Sequence, residues 1–229
     1  MTRSDLSRNL NNFGLTKTCQ DLALRALNRA VLFKVLKAIE IRRPDPNFSD
    51  PGNYRALFLD RSMLYRFSAD PENEMSEEFV EDALAKGDEC FAVLDGDALA
   101  AYGWYSNTPT AIDPSELTLH FDQQFIYQYK GFTHARYRGR RLYAIGITGA
   151  LQEYLARGYT GFLSYVEWNN FASLRSSYRM GFVDFGAIVV TRVFGRLRAH
   201  SSPGCTRYGF YLEHAPQRPR ARTAVNITQ

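Results

Sequence analysis

The chain has 229 residues, of which 45% are apolar and 14% aromatic, a composition typical of one folded globular domain with a sizeable core. The formal net charge is +4, but residues 1–43 contribute +6 and residues 214–229 contribute +3, which leaves residues 44–213 acidic at −5. An acidic body argues against a nucleic-acid-binding domain, and the three cysteines and four histidines lack metal-site spacing. Because the chain has no 18-residue apolar window and no apolar signal core, we expect a cytoplasmic protein without a transmembrane helix.

The first 50 residues are predicted to form a basic amphipathic helix and a linker. Apolar residues such as Leu24 and Val31 follow helical spacing over residues 15–41, with lysines and arginines around them. We expect this helix to dock on the main domain or on a second copy of the chain in a homodimer. Alternatively, it lies on the anionic inner face of a membrane through residues 16–41. Residues 43–53, rich in Pro, Asp and Gly, form the linker.

The rest of the chain is predicted to be an α/β domain over residues 51–214, followed by a basic, disordered tail over residues 215–229. Apolar runs indicate strands at 54–59, 89–94, 98–105, 117–121, 125–135, 161–166 and 204–212, and a long strand or bent pair at 182–194. The dipeptide Asp95-Gly96 predicts a hairpin turn between the second and third strands. Helical spacing indicates helices at 60–66, 75–86, 143–157 and 170–180, with cap and stop signals at Ser76, Gly87, Gly158 and Gly181. This order favours one mixed sheet with helices on both faces.

A very basic turn joins the predicted strand 125–135 to the helix 143–157. It reads RYRGRR over residues 136–141. The first N–H groups of a helix have no partner within the helix, and the helix dipole adds positive charge there. Arginines add fork-shaped donors that suit phosphate oxygens. The turn therefore predicts a phosphate or pyrophosphate site, with a solvated basic loop that binds nothing as the alternative.

Two stretches of the domain resemble the signature of the GNAT acyltransferase superfamily. The first, THARYRGRRLY at residues 133–143, is similar to the family pattern Val-x-Pro-x-Tyr-Arg-Gly-x-Gly-x-Gly. The second has Val-x-x-x-Asn at Val166 and Asn170, and eleven residues after the asparagine comes Gly181-Phe182. The resemblance covers about residues 54–195. It implies a GNAT-like, mostly antiparallel central sheet with helices on both faces.

This resemblance implies an acyltransferase that moves an acetyl or other acyl group from a coenzyme A thioester to an amino group of a small molecule or a glycan or lipid precursor. The donor, acetyl-CoA or another acyl-CoA, would place its pyrophosphate on backbone N–H groups of these residues: Arg138, Gly139, Arg140, Arg141, Leu142 and Tyr143. Its pantetheine arm would lie beside Phe132, Thr133 and His134 and pair with their strand. Asn170 would bond the arm or brace the gap between two strands. The resemblance implies no metal.

Candidate catalytic residues also follow from the resemblance. The family often places a Tyr seven residues after the Asn, where it protonates the leaving thiolate. This chain has Ser177 at that position and Tyr178 one residue later. Because one residue rotates a helical side chain by about 100°, both remain candidates, Ser177 as the holder of a water. For the base, the resemblance points to a carboxylate near the central strands, which we take as Glu167, with Asp122 and Glu116 as alternatives.

Two departures from the family pattern leave other functions open. Arg141 and Tyr143 stand where the family has glycines, which let phosphates approach the backbone closely. The donor could instead be an acyl carrier protein, with a single phosphate and an acidic surface, that delivers a longer acyl group. A third interpretation is a catalytically degenerate GNAT fold used as a binding module. The residues Phe125, Tyr127 and Tyr129 alternate on one sheet face and are interpreted as core packing or as the lining of an acceptor pocket.

Overall fold

The computed structural model describes residues 16–20, which are helical, and residues 32–214. The second range contains the strands β1 (Leu32–Ile41), β2 (Arg55–Phe58), β3 (Glu89–Asp95), β4 (Ala98–Ser106), β5 (Thr110–Ile112), β6 (Leu117–His120), β7 (Ile126–Thr133), β8 (Phe162–Glu167), β9 (Val183–Val193), β10 (Arg196–Ser201) and β11 (Tyr211–His214). It also contains the helices α1 (Arg61–Ser68), α2 (Glu77–Lys86), α3 (Leu142–Ala156), α4 (Phe171–Arg179) and α5 (Pro203–Thr206).

The main sheet has eight strands in the order β10-β9-β1-β8-β7-β4-β3-β2. Every neighbouring pair is antiparallel except β7 and β8, which run parallel. A smaller antiparallel sheet has the order β11-β6-β5. The predicted fold class, a mixed and mostly antiparallel α/β sheet, is confirmed.

Different layers cover the two faces of the main sheet. On one face, α1 and α2 pack on β3 and β4 around Ala92 and Trp104, and the small sheet packs further along, against Leu163 of β8. On the other face, α3 packs against β3 through Phe91 and Ile147. Since alternate residues of a strand point to opposite faces, helices cover both faces, as predicted. In the two described ranges, no helix is long and apolar enough to cross a membrane.

The helix predicted over residues 15–41 is wrong over residues 32–41, which form β1. This strand lies between β8 and β9 and pairs with both. Its buried side chains occupy both faces: Leu36 and Ala38 pack in one layer, and Ile39 and Ile41 in the other. A strand that is buried on both faces loses the alternating pattern of a half-exposed strand, so its apolar residues also match helical spacing.

Strand β1 also affects two other predictions about the N-terminus, the domain boundary after residue 50 and the membrane contact. β1 belongs to the main sheet, although the predicted boundary after residue 50 leaves it outside the main domain. A membrane contact through residues 16–41 cannot use residues 32–41 as a surface helix. For residues 16–31 the membrane contact stays a prediction, as does a homodimer. Residues 1–15 and 21–31 of the predicted N-terminal unit and the tail 215–229 lie outside the described residues.

The strand predicted at 204–212 is also wrong over residues 204–210, where α5 and a turn form instead, and only residues 211–212 belong to β11. A Cβ built at Gly204 would lie 1.8 Å from the carbonyl oxygen of Phe185, so α5 packs directly on the backbone of β9. Such an approach depends on tertiary contacts that no local pattern reveals. The sequence does not predict strand β10, because its six residues, RLRAHS, contain only one large apolar residue, Leu197.

The other predicted elements are confirmed within a few residues, and so are their caps. The Oγ atom of Ser76 accepts a hydrogen bond of 3.3 Å from the N–H of Phe79 at the start of α2. Gly87 ends that helix at φ +84°, and Gly96 turns the hairpin between β3 and β4 at φ +57°. Both angles lie in the left-handed region that glycine adopts at little cost. Strand β9 is one long strand rather than a bent pair.

Candidate active site

Strands β7 and β8 begin as neighbours and then separate. Their register contains only the pairs Ile126–Phe162 and Tyr127–Leu163. At the next position, the hydroxyl of Ser164 donates a 2.8 Å hydrogen bond to the carbonyl of Gln128. The two strands are therefore joined there through a side chain and not through backbone pairing. Beyond this point lies a cleft of about 820 Å³, lined by residues 127–133, 164–167 and one side of α4. We call it the front cleft.

A β-bulge shapes the β7 wall of the front cleft. Lys130 and Gly131 together stand opposite the single residue Gly103 of β4. Lys130 has φ +44°, a left-handed conformation that is strained for a residue with a side chain. Bulges of this kind bend a strand and end its regular pairing, and they are frequent beside active sites. The bulge therefore helps to turn β7 away from β8.

The basic turn predicted from the sequence forms a second cleft at the start of α3. The chain passes through Gly139 at φ +81° and Arg141 at φ +62° before the helix begins at Leu142. Arg141 is the N-cap residue and makes no side-chain cap hydrogen bond. The first N–H groups of the helix and its dipole thus remain suited to an anion. We call this space, of about 970 Å³, the basic cleft.

The arginines of the turn divide into two pairs with different surroundings. Arg136 and Arg140 lie over the ring of Tyr137, at 5.0 and 5.6 Å from its centroid. The Tyr137 hydroxyl donates to Asp95 at 2.9 Å, and Arg140 also donates to the hydroxyl of a second tyrosine. This pair stabilises the turn. The other pair lines the basic cleft: Arg138 and Arg141.

Helix α4 supplies two more arginines to the basic cleft, Arg175 and Arg179. The sequence prediction missed them, although their spacing of four residues places both on one face of a helix. The same lining contains Asp45 as an acidic residue. Four guanidinium groups against one carboxylate make the described wall of this cleft strongly positive.

Some predicted donor-binding residues lie in these clefts and others do not. Thr133, Gly139 and Leu142 line the basic cleft, and Phe132 lines the front cleft. His134 and Arg140 line neither. The Nε2 atom of His134 lies 3.1 Å from a carboxylate oxygen of Glu72.

Asn170 lines the front cleft and is also the N-cap of α4. Its Oδ1 atom accepts a 3.2 Å hydrogen bond from the N–H of Ser173. This bond satisfies one of the unpaired donors at the helix start. The asparagine therefore orients α4, whose side chains form one wall of both clefts.

The two candidate acids on α4 lie on different sides of the helix. Ser177 is buried and lines the front cleft. Tyr178 is 43% exposed, lies outside both clefts, and donates a 2.9 Å hydrogen bond to Asp184. Partial burial and the bond to Asp184 raise the pKa of Tyr178 to about 12. The structure therefore places the serine, and not the tyrosine, beside the gap between β7 and β8.

Among the carboxylates named from the sequence, Glu167 lines the front cleft. It lies 3.2 Å from Nζ of Lys34, which also pairs with Asp113 on the same cleft wall. Burial lowers the pKa of Lys34, but the hydrogen bond to Asp113 and the charge of Glu167 outweigh it, so the pKa is raised. The sequence prediction missed both Lys34 and Asp113.

The alternative carboxylates lie elsewhere and have structural partners. Glu116 accepts a 2.8 Å hydrogen bond from Arg192. Asp122 accepts one of 2.9 Å from the N–H of Gln124 in the turn before β7. Neither lines the front cleft or the basic cleft.

Three stacked tyrosines line the front cleft. The ring of Tyr127 lies 5.6 Å from Tyr129 and 6.3 Å from Tyr165, nearly parallel to both. The Tyr129 hydroxyl donates to the buried carboxylate of Asp88, and burial followed by this carboxylate raises the pKa of Tyr129. Phe125 packs against Tyr208 and lies outside the cleft. Of the three alternating aromatic residues, Tyr127 and Tyr129 thus form a wall of the cleft and Phe125 does not.

The front cleft and the basic cleft meet at a neck. Four residues belong to the lining of both: Thr133, Tyr143, Ser176 and Met180. An extended ligand with a charged end in the basic cleft would reach the front cleft through this neck.

No family model matches the sequence, and no curated protein does. A solved structure from Novosphingobium aromaticivorans, described as a GNAT-family acetyltransferase, is 17% identical with a TM-score of 0.49, over 81% of this chain and 66% of that one. A GCN5-related N-acetyltransferase-like protein from Streptococcus suis is 14% identical with a TM-score of 0.49, over 81% and 68%. A GNAT-family acetyltransferase from Colwellia psychrerythraea is 12% identical with a TM-score of 0.47, over 75% and 60%.

All three descriptions name the superfamily that the two sequence stretches resemble. The chain spans just under two thirds of the length of the first of these proteins.

Proposed function

We propose that this protein is an acyltransferase that moves an acyl group from an acyl-coenzyme A thioester to an amino group of a small-molecule acceptor. The observation that carries the proposal is the separation of β7 and β8 directly beside a cleft lined by four arginines. A donor with phosphates and a long, extended arm fits this pair of clefts. Its phosphates suit guanidinium and helix N–H groups, and its arm suits a strand edge whose neighbour has moved away.

The donor site would be built from side chains and backbone together. Arg138, Arg141, Arg175 and Arg179 would hold the phosphates with the N–H groups at the start of α3. When bound, acyl-coenzyme A supplies a thioester, whose carbonyl carbon is the electrophile. Backbone N–H groups of β7 near Thr133 would polarise that carbonyl as negative charge develops on its oxygen. Most of the acceleration would come from holding the amine and the thioester together.

The residues of the front cleft would move the two protons of the reaction. The amine nitrogen loses a proton as the new N–C bond forms, and Glu167 would accept it, directly or through a water. The sulfur gains a proton as the C–S bond breaks, and a water held by Ser177 would supply it. Both residues line the front cleft, which is why we prefer them over Tyr178.

The walls of the front cleft also suggest the class of acceptor. The stacked rings of Tyr127, Tyr129 and Tyr165 offer a flat aromatic wall. The carboxylates of Asp113 and Glu167 lie in the same lining and share one lysine, Lys34, so one negative charge is left over. Aromatic faces and carboxylates attract a cationic amine. A small amine with an apolar or sugar ring would therefore suit the cleft, which includes the glycan precursors expected from the sequence.

Titration calorimetry with acetyl-CoA, a long-chain acyl-CoA and free coenzyme A tests this function. We expect saturable binding of at least one of them, and release of free thiol when a panel of amines is added. If none of the three binds, the proposed function is wrong. Binding without thiol release across the panel would instead support a binding module.

A carrier-protein donor is the second candidate, and the exposed arginines of the turn favour it. Arg136, Arg138, Arg140 and Arg141 are all exposed on this turn, where an acidic protein surface could dock. A comparison of acyl transfer from an acyl carrier protein and from the matching acyl-CoA, at equal concentration, separates the two donors. A higher kcat/KM with the carrier protein that falls steeply with salt would favour this candidate.

A further inference from the structure

The neck between the two clefts is partly filled by the side chain of Tyr143. This residue belongs to the first turn of α3 and lines both clefts. Its ring leaves the helix and extends to β7, where the hydroxyl lies beside Gly131. Any arm that passes from the basic cleft to the front cleft must go past this ring.

A hydrogen bond to a buried side chain holds Tyr143 in place. Nε2 of Gln128 lies 2.8 Å from the Tyr143 hydroxyl oxygen and 3.2 Å from the backbone carbonyl of Tyr129. A carbonyl can only accept, so the Gln128 amide must present its NH₂ group on this side. The hydroxyl of Tyr143 is therefore the acceptor. Burial raises the pKa of Tyr143, which keeps the phenol neutral.

Gly131 provides the space for this arrangement. A Cβ built on Gly131 would lie only 2.1 Å from the Tyr143 hydroxyl, much closer than real Cβ atoms come to other atoms. The tyrosine thus lies directly against the β7 backbone at the bulge. In the proposed function, an extended donor arm passes the same residues of β7 on its way through the neck. The ring of Tyr143 lines the neck and narrows this path.

We propose that Tyr143 is a specificity-determining gate for the donor arm, closed by its hydrogen bond to Gln128. The ring must leave the backbone of β7 before an arm can pass the neck. This inference rests on the proposed function, because it concerns the arm of the same donor. A closed gate reduces the apparent affinity for an arm by the fraction of molecules in which the gate is open. It does not affect a ligand that stays in the basic cleft.

Two ligands separate the gate from the donor site: coenzyme A, which has the arm, and its adenosine bisphosphate fragment, which does not. Calorimetry measures both on the wild type and on Tyr143→Phe, Tyr143→Ala and Gly131→Ala. Tyr143→Phe removes the tether, and loss of one neutral hydrogen bond predicts roughly two- to tenfold tighter binding of coenzyme A. Tyr143→Ala removes the ring and should tighten binding further. Because Tyr143 also lines the basic cleft, affinity for the fragment should change much less than affinity for coenzyme A in each variant.

Tyr211→Phe is the matched control, because Tyr211 lies 45% exposed on β11, outside both clefts. Thermal melts of each variant check the fold, and Tyr143→Phe is conservative enough to keep the test valid if Gly131→Ala unfolds the chain. The gate alone is overturned if coenzyme A binds the wild type and its affinity for Tyr143→Phe and Tyr143→Ala is the same as for the wild type or weaker. If coenzyme A binds no variant at all, the gate and the proposed function both fail.

Discussion

At the scale of single residues, a shift of one position decides which hydroxyl reaches the front cleft. Ser177 and Tyr178 are neighbours, yet Ser177 is buried in the cleft wall and Tyr178 bonds to Asp184 on another side of α4. The rotation of about 100° per helical residue is enough to separate them. The sequence leaves both residues as candidates. Only the packing of α4 against the sheet determines which of the two side chains faces the cleft.

Substitution of the two residues should therefore have unequal effects. We expect Ser177→Ala to lower kcat on the order of 10²-fold, because it removes the group that positions the proton donor. Tyr178→Phe should change kcat by less than about twofold, since its lost hydrogen bond lies on the surface. Steady-state thiol release measures both. Equal losses of kcat in the two variants would contradict this assignment.

Glu167 offers a second test at this scale. Glu167→Gln keeps the shape of the side chain but removes the proton acceptor, so kcat/KM should fall on the order of 10²-fold. Glu116→Gln is the matched control, because Glu116 pairs with Arg192 outside both clefts. Thiol-release assays at several pH values compare the two variants. The role of Glu167 as base is wrong if its substitution leaves kcat/KM at the wild-type value.

At the scale of elements, local signals predicted helix ends well and failed for the strand in the middle of the sheet. Ser76 and Gly87 bound α2 through hydrogen bonds and backbone angles that depend on a few neighbouring residues. β1 depends on β8 and β9, which are more than 100 residues away in sequence. Its apolar residues on two faces satisfied a helical period equally well, and only the strand partners distinguish the two.

Helix α1 allows a test of capping through pH. Asp60 caps it, with Oδ1 accepting from the N–H of Met63 at 2.8 Å and from the Ser62 hydroxyl at 2.7 Å. These bonds lower the pKa of Asp60, the one from Met63 contributing most. A lowered pKa in the folded state adds stability above the ordinary carboxyl pKa, and this stability is lost as the pH falls through the folded value.

We therefore expect Asp60→Ala to lower the melting temperature most near neutral pH. The difference from the wild type should shrink once the pH falls below about 4, where the wild-type carboxylate also becomes protonated. Asp60→Asn is the control, because Asn caps a helix without titrating. Thermal melts by circular dichroism across this pH range provide the measurement. A difference that is independent of pH would mean that the charge of Asp60 is not involved.

At the scale of the whole molecule, the charge distribution separates the basic cleft from an acidic body. Residues 44–213 carry a net charge of −5, yet four arginines from two elements meet at the start of α3. Arg138 and Arg141 were predicted from the turn, but Arg175 and Arg179 join them only because α4 lines the same cleft. Such a local concentration of positive charge attracts polyanions despite the overall balance.

Arginine substitutions distinguish direct contact from general charge. Arg138→Ala and Arg141→Ala should each weaken coenzyme A binding by roughly ten- to a hundredfold, the cost of one charge-assisted hydrogen bond. Arg140→Ala removes the same charge from the same turn, but Arg140 lines neither cleft, so its effect should be smaller. Calorimetry at two salt concentrations should show weaker binding at high salt. Equal effects of all three substitutions would mean that only the net charge matters.

The sequence by itself determined the features that depend on neighbouring residues: the order of most elements from β2 to α4, their caps, the hairpin turn and the basic turn. Each follows from backbone preferences, hydrogen bonds and periodicity over a few residues. Tertiary structure decided the identity of β1, the side of α4 that meets the cleft, the meeting of Lys34 with Asp113 and Glu167, and the position of Tyr143 against Gly131. These features depend on strand register and on packing across the sheet, which bring together residues that are distant in the chain.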